Sequence, residues 1–276
     1  MKANLGLLVS LPLLVHIMTA SGADSSASSS SAATLDDAEH SDGTVVSSTT
    51  TDLSLMWPKV IKLLRYDQSL AVEFWSQLAV DTADRLVERF LVANSSDVAK
   101  ATANLRDSLA WRHHMNLRAL MGPEGERSLV PTAHFRSGKG YFWGYDREGF
   151  LVIVLTGRLH DQWRDAIEDT KRHIAYQTEL GRRLFAPGRD RVTVVFDLAG
   201  LTVASLDAQC VYFTIACLQS YYPESLRRIL IVNAPWIFWG FWSLFRSVIN
   251  YVVAGKISFV EREKLREFID PEVLPE

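Results

Sequence analysis

Apolar positions recur at intervals of three and four through residues 55–114, with no alternating stretch. Val60, Leu63 and Leu64 are followed by Leu86, Phe90 and Leu91, and then by Leu105, Leu109 and Trp111. That spacing lays an apolar stripe on each of several helices, so 55–122 reads as a small all-helical N-terminal region. Ser96 before Asp97 supplies a side-chain cap and an acid in the first turn, predicting one helix from Asp97 to about His113. Gly122, Pro123 and Gly125 then punctuate the chain. From Tyr141 the pattern changes. β-Branched and aromatic runs at 150–155, 192–196 and 229–232 alternate with helical stretches at 161–184, 205–221 and 236–249. Strand, helix, strand, helix in that order predicts an α/β domain over 130–276, with a mainly parallel sheet covered by helices. The runs at Val192 and Ile229 are apolar on both faces, which suits buried central strands.

The N-terminus precedes any fold. Lys2 stands before the apolar run 5–17, and Ala20, Ser21, Gly22 and Ala23 follow it, which is the layout of a secretory signal. Residues 1–23 are therefore expected to be a signal peptide, the alternative being an unstructured apolar tail. Residues 24–54 are mostly Ser, Thr, Ala and Asp, too poor in apolar side chains to bury a core, and read as a disordered Ser/Thr-rich linker.

Composition narrows the function classes. The 29 Lys and Arg nearly balance 32 Asp and Glu, for a net charge of -3, so the chain lacks the clustered positive charge that nucleic acid requires. The 48% of hydrophobic residues is ample for a sizeable core. Cys210 and Cys217 fall seven apart on one predicted helix, about 10 Å along its axis, too far to bridge.

No catalytic constellation stands at convincing spacing. There is no Gly-rich dinucleotide loop, no P-loop and no Ser elbow. Ser137, Gly138, Lys139 and Gly140 precede a strand instead of opening a helix, and read as a turn. His113 and His114 are adjacent and diverge on a helix, while His160 and His173 lack Cys or acid partners in ligand register, so all four read as solvated helix-surface residues and no metal or cofactor is expected. Asp197 at a strand's carboxyl end is the lone candidate base, with a turn or cap role as the simpler reading.

The distinctive segment is Ile229 to Phe245, seventeen uncharged residues containing three of the eight tryptophans. A membrane helix needs about that length, but Asn233 and Pro235 divide the segment into a strand and a helix. On the helix, Trp236, Ile237, Phe238, Trp239, Phe241, Trp242, Leu244 and Phe245 point in every direction. Such a helix must bury both faces in a core or touch lipid, and tryptophan suits the boundary between hydrocarbon and water.

At these residues the sequence resembles the CRAL-TRIO lipid-binding family, which includes phosphatidylinositol/phosphatidylcholine-transfer proteins. The matching words are VVFDLAGL at 194–201, YYPESLRRILIVNAPWIFWGFW at 221–242 and GKISFV at 255–260, with a weaker match at 87–112. The resemblance implies a non-enzymatic carrier, in which a parallel sheet floors an apolar lipid pocket and a helical gate closes it. The gate would span 235–251, with Trp236, Phe238, Trp239, Phe241, Trp242 and Phe245 as its lipid-facing side chains. It also implies a latch between Glu224 and Lys256. Phosphatidylinositol-binding members use an arginine and a threonine on the headgroup phosphate; here Asn94 and Val253 stand at those positions. The expected cargo is therefore phosphatidylcholine, a sterol or an isoprenoid in preference to phosphatidylinositol, exchanged at a membrane surface. A tethering or protein-interaction module without ligand exchange is the alternative from another class. The chain ends at Glu276, where members usually continue, which implies either a domain short at its C-terminus or an incomplete sequence. Family members are usually cytoplasmic or peripheral on membranes, whereas the N-terminus and the sequon at Asn94, Ser95 and Ser96 point to the secretory pathway.

Overall fold

A computed structural model describes residues 45–122 and 129–270. The expected signal peptide, most of the linker, Pro123, Gly125 and the C-terminal residues lie outside them. Four helices open the described chain: α1 (Val45–Tyr66), α2 (Gln68–Ser76), α3 (Ala83–Ala93) and α4 (Val98–His114). Helix α1 begins inside the stretch read as linker. The reason is tertiary: Leu53 packs on the helical core and Met56 is fully buried within it, and such burial outweighs the modest helix propensity of Ser and Thr. Met56, Val60, Phe74, Leu86, Phe90, Leu91, Leu105 and Leu109 form that core, as their spacing predicts. Helix α4 is capped by Asp97, whose Oδ1 accepts from the backbone N of Ala99 and Lys100 at 3.0 Å. Ser96, the expected cap, instead turns the chain with Ser95, both in the left-handed region. Short helices α5 (Leu117–Leu120) and α6 (Thr132–Arg136) lead to the sheet.

Five strands follow in the spatial order β1-β2-β3-β4-β5. These are β1 (Gly140–Tyr145), β2 (Leu151–Thr156), β3 (Val192–Asp197), β4 (Leu226–Val232) and β5 (Ile257–Phe259). The β1–β2 hairpin is antiparallel and every other pair is parallel. Helices α7 (Ile167–Arg183), α8 (Ala208–Ala216), α9 (Trp236–Ser243) and α10 (Tyr251–Ala254) make the crossovers. Three of the expected elements are shorter than their patterns. Asp161 folds its own turn, accepting from the N of Trp163 and Arg164, so α7 starts later. Asp207 caps α8 through Cys210 N, and a π-helical turn over Cys217–Tyr221 ends it. The uncharged segment divides into β4 and α9, and among the described residues no helix is long and apolar enough to cross a membrane.

The two faces of the sheet differ. On the back, Val152, Val154, Thr193, Val195, Leu230 and Val232 are buried under Tyr141, Trp143 and the C-terminal turn residues Leu265 and Ile269. On the front, Ile153, Leu155, Val194, Phe196 and Ile229 remain only partly covered.

The helical region is joined to the sheet domain by buried charge. Glu179 of α7 accepts from Arg112 Nη1 of α4 at 2.6 Å and from Arg182 Nη1 at 3.4 Å. Arg112 also lies 3.9 Å from Glu73 of α2, and Arg182 lies 3.9 Å from Asp81. Both guanidiniums flank the Tyr222 ring, which the π-helical turn delivers. Burial alone would raise the Glu179 carboxyl, but Arg112 and Arg182 outweigh it and hold the group at about 2.

The histidines correct the sequence reading. His173 is buried in α7 and His160 leaves the helix surface altogether. The latter bonds Asp207 at 3.0 Å and sits 3.6 Å from Asp165, which also takes Lys139 at 2.7 Å. His173 packs against His134 with ring centroids 5.5 Å apart, and neither of its ring nitrogens has a hydrogen-bond partner among the described residues.

Two predictions follow from these buried groups. Glu179→Gln strands two guanidiniums away from water and is expected to cost about 3–5 kcal/mol in urea unfolding. Burial, with the charges of His134 and Lys139, holds His173 at about 4 against an ordinary 6.5, so the folded state keeps it neutral. Its stabilising share is complete above about pH 6.5 and is lost as pH falls toward 4, by up to about 3 kcal/mol. Melting curves across that window should show the decline, and His173→Leu should flatten it.

Candidate functional site

Helix α9 is placed by the turn that precedes it. Asn233 adopts a left-handed conformation at the end of β4, and Pro235 then fixes the entry to the helix. The helix ends at Ser243 because the Ser243 hydroxyl bonds back to Gly240 O at 2.7 Å, and looser turns carry the chain to Ile249. The element is thus shorter than the expected 236–249, though the segment between the two strands is continuous.

Its six singled-out side chains divide by direction. Phe238 and Phe245 are buried, at 5% and 1% exposure, whereas Trp236 and Trp239 face outward at 85% and 48%. Phe241 and Trp242 are intermediate. Phe238 packs with Leu198 and Ile231 and meets Phe196, Ile229, Trp242 and Ile257, which seats the helix on the front face. Phe245 stacks edge-on against Tyr212 of α8 at 4.9 Å. The segment 236–245 therefore spans from the sheet to α8, with two tryptophans turned away from both.

Phe259, on the edge strand β5, was not singled out from sequence. Phe238, Trp239 and Trp242 converge on it with centroid distances of 6.0, 4.8 and 5.8 Å. Its word GKISFV held the signal, but alternation over three residues is too short to show which way a side chain points.

Glu224 and Lys256 meet. Lys256 Nζ lies 3.6 Å from Glu224 Oε2, and Arg191 Nη2 lies 3.2 Å from the same oxygen. Arg191 is a partner that sequence alone did not supply. Burial lowers the Lys256 ammonium below its ordinary value; Glu224 opposes the fall and Arg191 adds to it. Glu224 sits in the left-handed region, and its carbonyl oxygen accepts from Arg89 Nη1 at 2.8 Å. Arg89 in turn is buried against Asp81 at 2.8 Å and Asp190 at 2.9 Å. The helical region therefore holds the backbone of the residue whose side chain reaches Lys256.

Asn94 and Val253 offer no anion contact. Asn94 Nδ2 donates to Phe90 O and its Oδ1 accepts from Asn104, both at 2.8 Å, while Val253 is buried in α10. Asp197 ends β3 and accepts from Ala199 N at 2.9 Å and from Asn233 Nδ2 at 2.8 Å, the turn role its position suggested. Cys210 and Cys217 are free thiols.

Phe259→Ala removes the ring on which three aromatics of α9 meet. At about 0.5–1.5 kcal/mol per aromatic pair, it should lower stability measurably, shift tryptophan emission to the red and speed proteolysis within 236–250. Unchanged emission and cleavage would show that the helix is held by its sheet contacts alone.

Comparison with known proteins places this architecture. Residues 135–276 match the CRAL/TRIO domain. The chain is 31% identical over 214 residues to the phosphatidylinositol transfer protein CSR1 of Eremothecium gossypii, covering 75% of this chain and 49% of that protein. It is 28% identical over 209 residues to the CRAL-TRIO domain-containing protein C3H8.02 of Schizosaccharomyces pombe, covering 74% and 47%. The chain thus spans about half the length of these curated relatives. The crystal structure of Sfh5 superposes with a TM-score of 0.64 at 19% identity, over 80% of this chain and 83% of that one, and so shares the fold. With the domain matched over just over half of its residues, this chain belongs to the CRAL/TRIO family.

Proposed function

We propose that the protein binds a hydrophobic lipid over the front face of its sheet, beneath α9, and transfers or presents it at a membrane surface without chemical change. The observation that carries this reading is the incomplete burial of Ile153, Leu155, Val194, Phe196 and Ile229. These residues lie on strands paired on both sides, where side chains of a parallel sheet are ordinarily covered. The back face of the same strands is covered. Partly exposed apolar side chains at the centre of a sheet gain about 0.8 kcal/mol for each lipid methylene they shelter. Trp236 and Trp239, facing outward on α9, suit insertion at the boundary between hydrocarbon and water.

In this reading α9 is the gate and the pair of Glu224 and Lys256 is its latch, with Arg191 sharing the carboxylate. One relative is by name a phosphatidylinositol transfer protein. The satisfied amide of Asn94 and the buried Val253 favour phosphatidylcholine, a sterol or an isoprenoid here.

Mass spectrometry of organic extracts from the purified chain tests this directly. One stoichiometric lipid is expected, diminished in Trp239→Asp and Glu224→Lys, and its mass identifies the cargo. A folded protein that carries no lipid yet still binds liposomes would overturn the carrier reading in favour of a tethering module. Stoichiometric phosphatidylinositol would overturn the cargo preference alone.

A further inference from the structure

At the carboxyl ends of β2, β3 and β4, on the back of the sheet, lies a cavity of about 160 Å³. The proposed lipid surface is on the opposite face. Val154, Val195 and Val232 form its floor, and its polar wall is made by Tyr141, Thr156, Arg158, Asp197, Asn233 and Arg262. Thr156, Asp197 and Val232 are level neighbours in the ladder, so the three strands end together beneath it.

The polar groups come from separate elements and differ in what they offer. Arg158 follows β2 and Arg262 belongs to the C-terminal turn, and both line the cavity. Asp197 supplies one carboxylate, so the lining carries a net positive charge. Asn233 is held in the left-handed region with its amide on Asp197, a conformation that costs free energy and concentrates at functional sites. Burial, and then Asp197, raise the Tyr141 phenol while Arg262 pulls it down, so the phenol remains a proton donor at neutral pH and lies near both charges.

We infer that this cavity binds a small phosphorylated polyol, with its phosphate on Arg158 and Arg262 and a hydroxyl donating to Asp197. Two guanidiniums match a phosphate in charge and geometry. The volume is that of roughly five water molecules at about 30 Å³ each, enough for a headgroup-sized molecule and too small for an acyl chain. A free phosphate monoester and the headgroup of an anionic lipid present the same chemistry to this site.

Isothermal titration of the full chain with sn-glycerol 3-phosphate and with inorganic phosphate tests the site. Sedimentation with phosphatidylcholine vesicles, with and without phosphatidic acid, separates a soluble ligand from a membrane one. Glycerol 3-phosphate is expected to bind about tenfold more tightly than phosphate, the worth of one hydrogen bond to a charged group. Arg158→Gln should weaken both at least tenfold, and Asp197→Asn should abolish the preference between them. Recovery with phosphatidic acid vesicles alone, lost in Arg158→Gln, would support the same site with a lipid headgroup as its source. No binding in any arm by folded protein, or binding unchanged in Arg158→Gln, would overturn the inference. Trp239→Asp serves as the control: it should leave glycerol 3-phosphate affinity unchanged, so this site and the lipid surface can fail independently.

Discussion

The carboxylate of Glu179, shut away from water between Arg112 and Arg182, is the constraint on which the assembly depends. A charge in that position is tolerable only while both guanidiniums stay in place. One of them belongs to the helical region and the other to the same helix as Glu179, so the ion cluster fixes how α4 meets α7. Tyr222 fills the remaining space, and it arrives there because the last turn of α8 widens. A second cluster, Arg89 with Asp81, Asp190 and the Glu224 carbonyl, repeats the arrangement nearer the sheet. Apolar packing builds each half, but charge fixes their register.

The same economy explains the two faces of the sheet. Among the described residues the back is covered by Tyr141, Trp143 and the C-terminal turn carrying Leu265 and Ile269. The front is roofed by aromatic residues that touch it mainly through Phe238, with Trp242 packed beside it. Around that seat the central side chains Ile153, Leu155 and Val194 stay only partly buried.

Much of this was legible in the sequence. The three- and four-residue spacing located the helical core, and the β-branched runs located β2, β3 and β4, because burial writes a period into the chain. The words around Glu224 and Lys256 named two residues that do meet, at 3.6 Å. Other features left no periodic trace. β5 is three residues long, too brief for alternation, and Phe259 went unnoticed with it. Arg89, Arg112 and Glu179 look like ordinary surface charges in a string of letters, since nothing local shows that a residue distant in sequence will bury and neutralise them. His173 was misread for the same reason. The start of α1 was hidden because its Ser/Thr-rich first turns are recruited by packing further along the helix.

The connectivity of α9 limits how it can move. The chain leaves the sheet at the carboxyl end of β4 and re-enters at β5, which runs parallel to β4 and beside it. The backbone at the return point is stitched in as well, with Ile229 N bonded to Lys256 O at 2.7 Å. A segment sewn into neighbouring strands at both ends is a bucket handle and not a hinged flap. Opened as the proposed gate, it would tilt about the line joining its two anchorages, toward or away from α8, with neither end swinging free. In the proposed carrier, uncovering the front face would require no strand to be broken, and the opening would appear along the side where Phe245 meets Tyr212.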